Sequence, residues 1–127
     1  MRPWRNARRD LVSAGLQAVT NAQDLRLARS EVAKVGVGPE VTAYIVDLVR
    51  ATRVSPSLSL GVSPRGATAL LATSRAWAWL NGRSFVTPDD VKNFALPTLR
   101  HRIKLRPEAE LEGVSAASVI DGVLRMV

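Results

Sequence analysis

The strongest chemical signal in the chain lies in residues 61–66, Gly-Val-Ser-Pro-Arg-Gly. Ser63 followed by Pro64 reads as a helix start, a hydroxyl cap and then proline at the first helical position. The next residue is Arg65. A helix N-terminus carries about half a unit of positive charge and unpaired N–H groups, so it favours acids. A base in an exposed first turn is misplaced by only ~0.3–1 kcal/mol, so it can be tolerated without purpose. It gains a purpose if guanidinium and N–H groups act together on an anion. Phosphate suits such a site, because the guanidinium fork meets it bidentately. Gly66 would then let a ligand or another backbone come close. A second start serves as comparison: Thr87-Pro88 is followed by Asp89 and Asp90, as the dipole prefers.

Other residues offer less chemistry. His101 is the only histidine and is flanked by Arg100 and Arg102. No nucleophile or carboxylate stands at a useful spacing from it, so a surface or helix-end role is expected rather than general-base work. Asp89 and Asp90 read as capping residues, not as a catalytic pair or a metal site. With no cysteine and one histidine, disulfides, thiolate zinc sites and multi-histidine clusters are excluded. No G-x-x-x-x-G-K-[ST] loop occurs, and no apolar strand ends in paired acids for magnesium. If Arg65 meets a nucleotide, most of that nucleotide's site lies on another domain or chain.

The formal net charge of +7 is uneven. Arg2, Arg5, Arg8 and Arg9 crowd the first ten residues, and Arg100, His101, Arg102, Lys104 and Arg106 form a second cluster. Such patches can meet nucleic acid, acidic lipid or acidic protein, although a solvated basic surface is the plainest reading. Hydrophobic residues make up 46% of the chain, enough for a core. No apolar run approaches the ~20 residues of a membrane span. The basic N-terminus lacks the apolar stretch of a secretory signal, which points to the cytoplasm.

Helices joined by short polar turns must position these residues. A first segment, Asn6 to Val19, is apolar on one side but weakened by Gly15. Thr20 with Gln23 has capping-box spacing, and Leu25, Ala28, Val32 and Val35 continue to a stop at Gly36. Pro39 to Arg53 is the clearest helix, with Val41, Tyr44, Ile45, Leu48 and Val49 on one face. A polar loop runs from Val54 to Val62. The helix after Ser63 lays Ala67, Leu70, Leu71, Ser74, Trp77 and Ala78 on one side and ends at Gly82. Thr87 and Asp90 box the next helix, which Pro97 should kink or interrupt. Ile103 and Leu105 alternate with charges and are candidates to pair with the extended Phe85–Val86. After the polar residues 106–113, Ser115 caps a last helix carrying Val119, Ile120, Val123 and Leu124.

Taken in order, "YIVDLVRATR" and "LGVSPRGATALLATSRAWAWLNGRSFVTPDDVKNFALPTLRHRI" resemble the C-terminal lid domain of MoxR-type AAA+ ATPases. The resemblance covers about residues 21 to 105, with weaker similarity on both flanks. "GVSPRG" is similar to the family's sensor 2 motif, which usually has alanine where Val62 stands. "GRSFVTPDDV" resembles its glycine-arginine, aromatic-valine and threonine-proline-acid-acid block, and "LPTLRHRI" resembles the end of the lid. The resemblance implies an all-α lid, a small bundle of about four to five helices with room for a minimal two-stranded β pair. Residues 1–20 would be a flanking helix or linker and residues 21–127 the lid.

The same resemblance implies that Arg65 is the sensor 2 arginine, reaching the γ-phosphate of ATP bound on an α/β core. Ser63, Pro64 and Gly66 would complete its turn, and Tyr44 and Ile45, a weaker carry-over, would wall the adenine. ATP and its magnesium would be held by that core, which these 127 residues do not include. No ATPase activity is therefore expected of the chain alone. The implied partners are the core, neighbouring subunits of a ring hexamer and von Willebrand factor A proteins, in chaperone-like assembly of other complexes. Two other readings stand beside this one. A basic helical nucleic-acid binder could use the arginine clusters and stack Trp4 on a base, but aromatics are only 5% and no recognition motif appears. A protein-interaction bundle would expose apolar surface to its partner.

Overall fold

Hydroxyl and amide caps set where four of the six described helices begin. The computed structural model describes residues 13–127. Among these, α1 is Ala22–Val32, α2 Pro39–Arg53, β1 Leu58–Leu60, α3 Pro64–Leu80, α4 Pro88–Leu99, β2 Lys104–Leu105, α5 Pro107–Leu111 and α6 Ala116–Met126. Ser63 accepts from the Gly66 N–H at the start of α3. Thr87 and Asp90 form a reciprocal capping box on α4, and Ser115 and Ser118 form another on α6. Gly82, with φ of +71°, turns the chain out of α3 in a conformation that favours glycine.

The chain divides between Ser30 and Glu31 into two units. In the first, the expected Asn6–Val19 helix lies partly outside the described residues. Of its described end only Ser13 is helical: Leu16 and Val19 are exposed and lie outside any helix, beyond a left-handed Gly15. The cap of α1 is Asn21, not Thr20, because the Asn21 carboxamide oxygen receives the Asp24 N–H at 2.8 Å. No residue of α1 is buried. The helix also stops earlier than Gly36. Short-range bonds from Lys34 to Glu31 and from Val35 to Val32 tighten the chain beyond Val32.

The core belongs to the second unit. Leu48 of α2, Leu70 of α3, Leu99 of α4 and Ile120 of α6 are fully buried around Val62 and Val91. Each such side chain stabilises the fold by ~1.5–3 kcal/mol. On α3 the buried strip is Gly66, Leu70, Ser74 and Ala78, one residue every four. Its small members let α3 and α4 approach, and the Ser74 hydroxyl is satisfied by donating to the Leu70 carbonyl at 2.8 Å. Trp77, expected on this strip, stands at its rim instead, packing on Phe94 with ring centroids 5.3 Å apart. Trp79 is half-buried and donates its indole N–H to Glu31 at 2.9 Å.

The extended pieces pair differently from the expectation. β2 pairs antiparallel with β1, which lies inside the stretch read as a polar loop. Phe85–Val86 instead meets Gly36: the Gly36 N–H donates to Ser84 at 2.8 Å and the Val86 N–H to the Gly36 carbonyl at 3.0 Å. Gly36 is thus a bridge partner rather than a helix stop. The polar residues after β2 contain the short α5, opened by Pro107 with Glu108 in its first turn. Pro97 does not interrupt α4, which runs on to Leu99. So near the C-terminal end, proline removes one helical bond with little helix left to disrupt.

Candidate functional site: the Ser63–Gly66 turn

Three contacts hold the turn before Arg65. Thr52, buried in the last turn of α2, accepts the Val62 N–H at 2.9 Å and donates its hydroxyl to the Val49 carbonyl at 2.7 Å. Arg53 donates Nε–H to the Val62 carbonyl at 2.8 Å. Gly61 lies against the Arg53 backbone so closely that a Cβ there would stand 2.7 Å from the Arg53 Cα. The sequence of β1, a small residue and a buried valine therefore delivers Ser63 to one place on α2.

Gly66 serves this packing. A Cβ on it would meet the Val62 Cγ1 at 2.3 Å and the Arg102 Cδ at 3.5 Å. What approaches Gly66 is thus side chain from within the chain, not open space for a ligand. Two of the N–H groups at the turn are also used. Pro64 has none, and the Gly66 N–H is taken by Ser63, through its carbonyl at 2.9 Å and its hydroxyl at 3.4 Å. Ala67 donates to the Ser63 carbonyl at 3.3 Å. Among the described residues no hydrogen bond engages the N–H groups of Ser63 and Arg65. Arg65 itself is exposed, and no ion pair engages it among them.

The comparison helix shows the opposite arrangement. Arg83 forks onto Asp90, with guanidinium–carboxylate distances of 2.7 and 2.6 Å, and also reaches the Phe85 carbonyl at 3.2 Å. Asp90 accepts the Thr87 N–H at 2.8 Å. The Arg83 guanidinium holds the Asp90 carboxyl below the usual carboxylate range; burial opposes this, and the Thr87 bonds add to it. Arg83 is raised in turn, mainly by its bond to Asp90. This is the one ion pair among the described residues. Sequence reasoning assigned Asp90 to the cap and missed Arg83. The signal was available in principle: a cap at Thr87 puts Asp90 back over the residues entering the helix, where an arginine stands.

Beside the turn, an apolar groove of about 180 Å³ runs between α2 and α3, lined by Thr42, Ile45, Val46, Ala67, Thr68 and Leu71. Ile45 forms part of its floor and is otherwise buried. Tyr44 is not in its walls. Tyr44 packs against the core instead, where burial, and then the charge of Asp89, raise its hydroxyl above its ordinary value. A wider groove of about 450 Å³ lies between the end of α2 and α6, and none of Ser63–Gly66 lines it.

The AAA lid domain family matches residues 50–123. The chain belongs to this family. Among its relatives are the uncharacterized protein YeaC of Bacillus subtilis, 39% identical over 112 residues, and the protein MoxR of Paracoccus denitrificans, 39% identical over 85. These matches cover 88% and 57% of this chain but 35% and 25% of the relatives. A crystal structure of a candidate ATPase from Cytophaga hutchinsonii superposes with a TM-score of 0.75 at 36% identity, over 77% of this chain and 32% of that one. The lid thus spans about a third or less of the proteins it matches. With its relatives, it is a lid domain of the MoxR-type AAA+ ATPases.

Within the lid, Ser63, Pro64, Arg65 and Gly66 share one turn, and Ile45 lies in the adjoining groove. Tyr44 does not line that groove. His101 is exposed in the turn after α4. No group of three or more metal-ligating side chains occurs among the described residues, and no helix among them is long and apolar enough to cross a membrane.

Proposed function

We propose that the lid senses nucleotide through Arg65, which reaches the γ-phosphate of ATP bound on an α/β core domain. The observation that carries this reading is an exposed arginine without a counter-ion among the described residues, set at a helix start on a turn bolted to α2. Arg65 costs little where it stands and is available to an anion brought from outside. When hydrolysis releases the phosphate, that contact ends and lid and core can shift. Magnesium and the attacking water belong to the core. The groove at Ile45, Ala67 and Thr68 adjoins the turn and offers an apolar wall for a base, with Tyr44 taking no part. In this reading the lid works in a ring of subunits on chaperone-like assembly of client complexes, von Willebrand factor A proteins among them.

The test is Arg65→Ala in an intact ATPase carrying this lid. Turnover is expected to fall by at least ~100-fold, the usual consequence of removing a transition-state donor. Unfolding of the lid should change by no more than ~0.5 kcal/mol, as for other exposed substitutions. Unchanged turnover would remove the reading. Separately, the purified 127-residue chain is expected to show no ATP hydrolysis; turnover by it that Arg65→Ala destroys would contradict the division of labour between lid and core.

A further inference from the structure

We propose that Arg102 is a second phosphate-contacting arginine, which with Arg65 clamps a polyphosphate at the Ser63–Gly66 turn. This assignment rests on the reading of Arg65 given above. β1 and β2 run antiparallel with Leu60 opposite Lys104, the last pair of a sheet whose register is irregular between Leu58 and Leu60. Val62 follows Leu60 by two residues and Arg102 precedes Lys104 by two, and the side chains of both come against Gly66. The stem of Arg102 accordingly lies on the first turn of α3, its Cδ 3.5 Å from where a Cβ on Gly66 would stand. Arg65 is the adjacent residue in that turn.

The chemistry of the site is unbalanced without an anion. Arg102 is half-buried, and among the described residues its Nε is buried without a hydrogen-bond partner, as is that of Arg75. Among the described residues no carboxylate pairs with Arg65 or Arg102, the one ion pair being at Arg83 and Asp90. Arg53 brings a third guanidinium to the same turn, with its Nε already spent on the Val62 carbonyl. Burying part of a cation without a partner is unfavourable, and like charges gathered on one turn repel. A ligand carrying several negative oxygens relieves both. A guanidinium whose hydrocarbon stem merely covers Gly66 would satisfy the packing equally well with any uncharged stem of that length, and this separates the two roles.

The experiment uses the 127-residue chain with sodium tripolyphosphate, followed by calorimetric titration and thermal unfolding against sodium chloride of equal ionic strength. The wild type should bind tripolyphosphate and be stabilised by it beyond the chloride control. Arg102→Met keeps the stem and removes the charge. It should lose at least ~10-fold in affinity, while its unfolding midpoint without anion stays equal to or above that of the wild type. Arg102→Lys should recover part of the affinity. Binding by Arg102→Met within about twofold of wild type, with Arg65→Ala defective, would overturn the role of Arg102 and leave that of Arg65 standing. Loss in Arg102→Met with full binding by Arg65→Ala would overturn the reading of Arg65 and the clamp with it. A lysine no better than methionine, or no difference between tripolyphosphate and chloride in the wild type, would also overturn the clamp.

Discussion

A threonine hydroxyl decides where Arg65 stands. Thr52 Oγ1 is the link between the last turn of α2 and the backbone of Val62. Thr52→Val keeps the shape and leaves the buried Val62 N–H without its partner. Urea unfolding should show a loss of ~1–3 kcal/mol, the cost of one unsatisfied buried donor; a loss below ~0.5 kcal/mol would mean that water or the backbone replaces the hydroxyl. Gly66→Ala forces a methyl group onto Val62. It should cost ~1–3 kcal/mol by overpacking, and Val62→Ala in the same chain should recover part of that loss. The glycine was legible in the sequence as a close approach. That the approaching group is a valine four residues earlier was not, because the fold of the turn brings it there.

At the scale of elements, the helix starts were legible and the pairings between elements were not. Ser63, Thr87 and Ser115 cap through residues three positions on, so the interaction lies within one window of sequence. The apolar face of α2 follows from periodicity in the same way. The β1–β2 pair joins residues about forty-five apart, and Ile103–Leu105 alternates just as well for one partner as for another. Two- and three-residue strands carry too little pattern to choose between Leu58–Leu60 and Phe85–Val86. The Arg83–Asp90 pair belongs to this scale too, since it fastens the chain entering α4 to the first turn of that helix. Asp90 has a lower value folded than unfolded. The pair therefore contributes stability that is present above the ordinary carboxylate range and is lost as pH falls through the folded value. Asp90→Asn should flatten the acid limb of a stability–pH profile below about pH 4. An acid limb as steep as that of the wild type would assign the acid sensitivity to other carboxylates.

For the whole molecule, charge is the property that composition states most plainly and position refines. Eighteen lysines and arginines stand against eleven acids, and one ion pair occurs among the described residues. Self-repulsion should then weaken the fold at low salt. Raising sodium chloride from ~0.01 to ~0.15 M shortens the screening length from ~30 to ~8 Å, and the thermal midpoint should rise with it. A midpoint that falls would show that attractive pairs, not repulsion, dominate the surface. Membership in the lid family was legible because its motifs are runs of contiguous residues. The contact of Arg102 with the turn was not, because it joins residues far apart in the sequence.

Thr52, Arg53 and Gly61 leave no slack between α2 and the base of α3. A tug on Arg65 cannot be absorbed by bending the turn that carries it. It must pass as torque into both helices at once, and through Leu48, Leu70 and Leu99 into α4. On the proposed reading the second unit would answer a phosphate at Arg65 as a crank does, so its output should be sought at the far ends of its helices and not in the loop that does the touching.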